Sequence, residues 1–117
     1  MSKSGIEKFS AERARLNEIV MDYAGRDIKR FFNLDTQAYR EGALPAKTKE
    51  LLGLVASLVL RCDDCVRYHI LQCYQAGVTS EELEEALSIA LVVGGSITIP
   101  HLRRAFQAWD DLQAAER

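Results

Sequence analysis

The 117-residue chain predicts an all-α fold, a compact bundle of about six helices. Three observations carry that prediction. Apolar residues recur at three- and four-residue spacing in most segments. β-branched alternation is scarce, and only two prolines and seven glycines interrupt the chain. Helix start and stop signals fall between the periodic segments, notably Thr79-Ser80-Glu81-Glu82, which reads as a capping box, and Gly77, which suits a helix C′ position.

Taken in order, the first segment runs from about Ser4 to Tyr23. It places Ile6, Phe9, Leu16, Ile19, Val20 and Tyr23 at helical spacing and ends near Gly25. Arg13 reads as a rim residue with its stem packed. The second segment, about Asp27 to Arg40, carries Ile28, Phe31, Phe32, Leu34, Ala38 and Tyr39, with Gly42 and Pro45 beyond it. The third, about Ala46 to Leu60, starts polar and turns apolar almost all round. Such a helix is expected to be buried on every side. The fourth spans about Asp63 to Gln75. The fifth follows Thr79 to about Val93, with Leu83, Ala86, Leu87, Ala90 and Leu91 on one face. Ser96 to Pro100 reads as an apolar connection. The last helix, about His101 to Ala115, carries Leu102, Ala105, Phe106, Trp109 and Leu112.

Length and composition fit a single domain over residues 1–117 with a real core. No repeat or low-complexity tract is present. The formal net charge of −2 gives no nucleic acid or anionic membrane a reason to bind. No apolar leader opens the chain, and no uncharged run approaches the ~18 residues of a membrane span. The expected compartment is the cytoplasm. The third helix and the stretch from Ala86 to Pro100 are more apolar than a small monomer needs, so a homo-oligomer is expected.

The chemistry concentrates in Cys62-Asp63-Asp64-Cys65-Val66-Arg67-Tyr68-His69. On a helix, Cys62, Cys65 and His69 share one stripe. Two thiols that can pair, beside a base, outline a redox site. Where thiols are mostly kept reduced, a Cys-x-x-Cys pair reads as catalytic or metal-binding before it reads as a structural staple. Glu50 joins the stripe only if the chain reverses near Arg61-Cys62. It would then sit ~16 Å back from the corner and His69 ~12 Å forward of it, leaving ~4 Å for two side chains to close. His69 could then take a proton from Cys65, with Glu50 orienting the imidazole. Asp63 and Asp64 suit a first helical turn but oppose thiolates by like charge. A small zinc module is a competing reading, with His101 or Cys73 as further ligands. Cys73 is otherwise expected in the core, His101 as a cap or interface bridge, and Lys47 and Lys49 in solvent.

Glu50, eleven intervening residues, then Cys62-x-x-Cys65-x-x-x-His69 resembles the signature of the alkylhydroperoxidase D-like branch of the carboxymuconolactone decarboxylase family. The resemblance runs from about Leu44 to Phe106. It includes LPAKTKELLGLVASLVLRCDDCVRYH, the Ala76-Gly77-Val78 turn and Val92-Val93-Gly94-Gly95. It implies an all-helical fold in trimers or hexamers, with an antiparallel helix pair carrying the site. It implies Glu50 and His69 as a proton relay, Cys65 as the thiol that forms a sulfenic acid and Cys62 as proton donor and resolving thiol. The implied activity is a thiol-dependent peroxidase or disulfide oxidoreductase acting on a small hydroperoxide or disulfide, recharged by an external dithiol or reductase. No flavin, haem or nucleotide motif is present, so no cofactor and no metal are expected. The best-known peroxidase members carry histidine just before the second cysteine, where this chain has Asp64, which weighs against full-strength peroxidase activity. The family's decarboxylases lack the cysteine pair as a working site, so decarboxylation ranks below a non-enzymatic redox-sensing oligomer.

Overall fold

Glu50 and His69 lie on neighbouring antiparallel helices, joined by a tight reversal. In the computed structural model, which describes residues 4–116, these are α3 (Ala46–Val59) and α4 (Asp63–Gln75). Around them run α1 (Gly5–Tyr23), α2 (Arg26–Ala38), α5 (Ser80–Gly94) and α6 (Ile99–Ala114), with a 3-10 turn at Ser96–Thr98. Among the described residues no strand occurs. Met1 to Lys3, the start of the stretch in which no apolar leader is read, lie outside the described residues. Among the described residues no helix is long and apolar enough to cross a membrane.

The corner between α3 and α4 is a Schellman motif. Arg61 N–H donates to Leu58 O at 2.9 Å and Cys62 N–H to Ser57 O at 3.1 Å. Arg61 holds the left-handed C′ position with φ 59°. That conformation costs a side-chain-bearing residue about 1 kcal/mol that glycine avoids. The end of α4 repeats the motif with the expected residue: Gly77 has φ 84°, and Val78 N–H reaches Cys73 O. α5 opens with the full capping box, Thr79 Oγ1 accepting from Glu82 N–H and Glu82 Oε1 from Thr79 N–H.

The core is built mainly by α3, α4, α5 and α6. Leu54, Leu58, Val66, Ile70, Leu83, Leu87, Ala90, Ala105 and Trp109 form one buried cluster, joined by Ile6 from α1. Trp109 satisfies its indole N–H on Ser80 Oγ at 2.9 Å. The apolar connection at Ser96–Pro100 is mostly helical: α6 begins at Ile99 and takes Pro100 into its first turn, where a missing N–H costs nothing.

One expectation is not met within the single chain. α3 is not buried on every side, because Leu52 is 55% exposed. α2 has the strongest two-faced pattern of charge and apolarity yet buries no residue, and it packs extensively against no other helix. Phe31 and Leu34 are 68% and 64% exposed. The radius of gyration, 14.8 Å, exceeds the roughly 13 Å of a compact chain of this length, in keeping with the sparse packing of α2.

Candidate active site

Cys62 is the N-cap of α4, its sulfur accepting from Cys65 N–H at 3.3 Å. The two cysteines are joined by a disulfide, their Cα atoms 5.3 Å apart. Their surroundings differ. Cys65 is exposed and lines a cleft of about 710 Å³, while Cys62 is half-buried and lies outside the cleft lining. Phe9, Arg13 and Leu16 of α1 face Cys65, Tyr68 and His69 of α4 across that cleft. The Arg13 guanidinium stands 4.0 Å over the Tyr68 ring, and that of Arg67 4.6 Å over Phe9.

His69 Nδ1 lies 3.0 Å from Glu50 Oε1, and both side chains are buried. The helix reversal therefore brings Glu50 and His69 together as the sequence predicts. With a carboxylate at Nδ1, the proton of a neutral imidazole is assigned to Nδ1, leaving the lone pair on Nε2. That assignment leaves Nε2 as the nitrogen able to take a proton.

Two further residues shape the site, and the sequence reading places neither there. Tyr39, which closes α2, brings its hydroxyl to 3.4 Å from His69 Nε2. Gly53, one turn past Glu50, leaves the space that these two rings use. A Cβ at Gly53 would lie 2.6 Å from His69 Cε1 and 2.7 Å from the Tyr39 hydroxyl. The available signal was the spacing of Gly53, three residues after Glu50 and on its face of α3.

The acidic pair inside the motif is neutralised. Asp63 receives His101 Nδ1 at 2.7 Å and Arg104 Nε at 2.9 Å, and Asp64 receives Arg67 at 3.0 Å. His101 thus ties α6 to the first turn of α4. Burial pushes the Asp63 carboxyl up, but the hydrogen bonds from His101 and Arg104 outweigh it and hold it below the ordinary 3.8. A carboxylate with a depressed folded value contributes stability above the unfolded value and loses it as pH falls through the folded one. Asp63→Asn is therefore expected to lower stability by about 1 kcal/mol at neutral pH. The gap from the parent protein closes as pH drops below 3.8. Thermal unfolding of both proteins across acidic pH checks this.

Lys49 is not simply solvated: its Nζ donates to the Ala38 and Arg40 carbonyls at 3.0 and 2.6 Å. Lys47 pairs with Glu82 at 2.8 Å. Cys73 is fully buried, and desolvation with Glu50 nearby pushes its thiol up to about 12. In the reduced protein a maleimide at mild alkaline pH is expected to label Cys62 and Cys65 and to reach Cys73 only after denaturant is added, as peptide mass mapping would show. Both candidate extra zinc ligands are engaged elsewhere, His101 on Asp63 and Cys73 in the core. Among the described residues no group of three or more His, Cys, Asp or Glu side chains is arranged to hold a metal ion.

A sequence profile of the Carboxymuconolactone decarboxylase family matches residues 28–108. The chain belongs to this family. Family relatives include an uncharacterized protein of Cupriavidus necator, 35% identical over 77 residues, which are 66% of this chain and 68% of the relative. A crystal structure from Thermotoga maritima superposes with a TM-score of 0.92 at 58% identity, covering 94% of this chain and 96% of that one. A second crystal structure of the same Thermotoga maritima protein has a TM-score of 0.89 at 59% identity and covers 93% and 92% of the two chains. It is described as a carboxymuconolactone decarboxylase family protein for which a part in antioxidative response has been suggested.

Proposed function

We propose that the protein is a thiol-dependent peroxidase and disulfide oxidoreductase whose working pair is Cys62–Cys65, served by a Glu50–His69 relay. The observation that carries this reading is the conjunction of a disulfide, one of its sulfurs open to a cleft, with a buried carboxylate–imidazole pair one helical turn away. The antioxidative role suggested for the Thermotoga maritima protein supports it.

His69 Nε2 takes the proton of the reduced Cys65 thiol. The thiolate attacks the terminal oxygen of a hydroperoxide, ROOH. The O–O bond breaks, Cys65 becomes a sulfenic acid, and RO⁻ takes a proton from the imidazolium and leaves as ROH. The Cys62 thiol attacks the Cys65 sulfur, forming the disulfide and releasing water. An external dithiol then attacks the exposed Cys65 sulfur, and Cys62 leaves as a thiolate favoured by the α4 N-terminus. A second exchange step returns both thiols and leaves the external dithiol oxidised. With Asp63 and Asp64 both paired to cations, the like-charge objection to these thiolates loses most of its force.

The exposed stripe on α2 and the exposed Leu52, Val92, Val93 and Ile97 are best covered by further copies of this chain, so the working form is a homo-oligomer. The cytoplasm supplies the reducing partner this cycle needs. A non-enzymatic redox sensor is the second reading, favoured by Asp64 standing where peroxidase relatives carry histidine. Peroxide-driven oxidation of a dithiol, followed together with sedimentation, separates the two. Many turnovers per subunit support the enzyme. One oxidation per subunit with a change of assembly size supports the sensor and overturns the peroxidase.

A further inference from the structure

We infer that Tyr39 is a positioning residue of the relay, its hydroxyl holding the Nε2 side of His69 while Glu50 holds the Nδ1 side. The inference rests on the reading of His69 as the base of the site. Tyr39 Oη lies 3.4 Å from Nε2, with the ring centroids 5.3 Å apart, so the imidazole is held from both nitrogens. The placement is built from two independent directions. Gly53 leaves out the side chain that would occupy the position of the hydroxyl. Lys49, next to Glu50 in sequence, clamps the carbonyls on either side of Tyr39 with the bonds to Ala38 and Arg40. α2 has little other footing on the core, so these contacts fix where it ends.

A phenol suits both states of the ring. The neutral imidazole, protonated at Nδ1, has a lone pair on Nε2 and accepts the Tyr39 O–H. Once Nε2 has taken the Cys65 proton, it is a donor and needs an acceptor. The Tyr39 oxygen supplies one by turning its O–H aside, and no proton leaves the tyrosine. Burial, then Asp35, Glu50 and Tyr68, push its phenol up, which keeps it protonated throughout. The other titratable groups around the imidazole are Glu50 on α3, Asp35 on α2, Tyr68 and Cys73 on α4, Arg13 of α1 above Tyr68, and Cys65 once the disulfide is reduced. Among the described residues none of these groups hydrogen-bonds to Nε2.

Tyr39→Phe removes both roles and keeps the ring. Hydrogen bonds to charged groups outweigh those to neutral ones, so the charged imidazole loses more. The variant is expected to turn over about five- to tenfold more slowly at unchanged KM, with the acidic limb of its rate profile moved to lower pH. Nitrogen-15 NMR of labelled histidine in the disulfide form reads the contact without any turnover; the two histidines are told apart with His101→Gln. The expected spectrum shows Nδ1 protonated and Nε2 accepting a hydrogen bond, and in Tyr39→Phe the Nε2 signal moves to that of a free lone pair. Protonated Nε2 in the parent protein, or an unmoved Nε2 signal in the variant, overturns the inference, as does a variant with the parent's rate and pH profile. If the parent protein shows no turnover at all, the peroxidase reading fails while the NMR result still decides Tyr39.

Discussion

Cys65→Ser is expected to lower peroxide-dependent turnover by about a thousandfold or more, because it removes the proposed nucleophile. The argument for Cys65 over Cys62 is one of position. Cys65 opens on the cleft and stands one turn from His69, whereas Cys62 is half-buried and engaged as the N-cap of α4. Access and a base favour attack by Cys65, and the helix N-terminus favours Cys62 as the leaving thiolate. Cys62→Ser therefore differs in kind from Cys65→Ser. It is expected to consume one equivalent of peroxide, to be trapped as a sulfenic acid by a sulfenic-acid reagent, and then to stop. Stopped-flow consumption assays with both variants check the assignment. Undiminished turnover in Cys65→Ser, or a sulfenic acid trapped on Cys62, contradicts it.

Gly53→Ala is the second large effect, and here activity and stability part company. In an ordinary helix interior the change is stabilising by up to about 1 kcal/mol. At this position the new Cβ would lie 2.6 Å from His69 Cε1 and 2.8 Å from Nε2. The ring has to move away, and its 3.0 Å contact with Glu50 goes with it. Overpacking costs about 1–3 kcal/mol, so the net stability change is modest. Loss of the proposed relay is expected to remove general acid–base assistance, worth about 10²-fold or more. Rate assays and thermal unfolding measured together check this, with Gly25→Ala as control, since nothing lies within 4 Å of a Cβ there. Parent-like turnover in Gly53→Ala would mean that the imidazole does not work from this position.

The helices and the Glu50–His69 pairing were legible because they depend on short-range rules. Periodicity set α4 at Asp63–Gln75, Gly77 marked its end, and Thr79 with Glu82 marked the start of α5. A rise of ~1.5 Å per residue was enough to place Glu50 beside His69 once a reversal was assumed. The reversal itself was nearly silent, because Arg61 takes a conformation that glycine normally advertises. Tyr39 read as one more aromatic of the α2 stripe, since nothing in its spacing says that α2 ends against α4. Gly53 matters for a volume it leaves empty, which a linear pattern does not record. The Asp63–His101 contact spans 38 residues and two helices, so the like-charge argument drawn from sequence lacked the cations that answer it. α3 is apolar almost all round, and that pattern does not say which of its faces a single chain buries.

The central claim is that Cys62 and Cys65 form the working pair and Cys73 stands apart. Thiol titration with peptide mass analysis, before and after one equivalent of peroxide, tests it most directly. The reduced protein is expected to go from three thiols to one, to lose two hydrogens in mass, and to yield a Cys62–Cys65 cross-linked peptide with Cys73 still a thiol. Three thiols persisting after peroxide, or a disulfide that includes Cys73, would contradict the account.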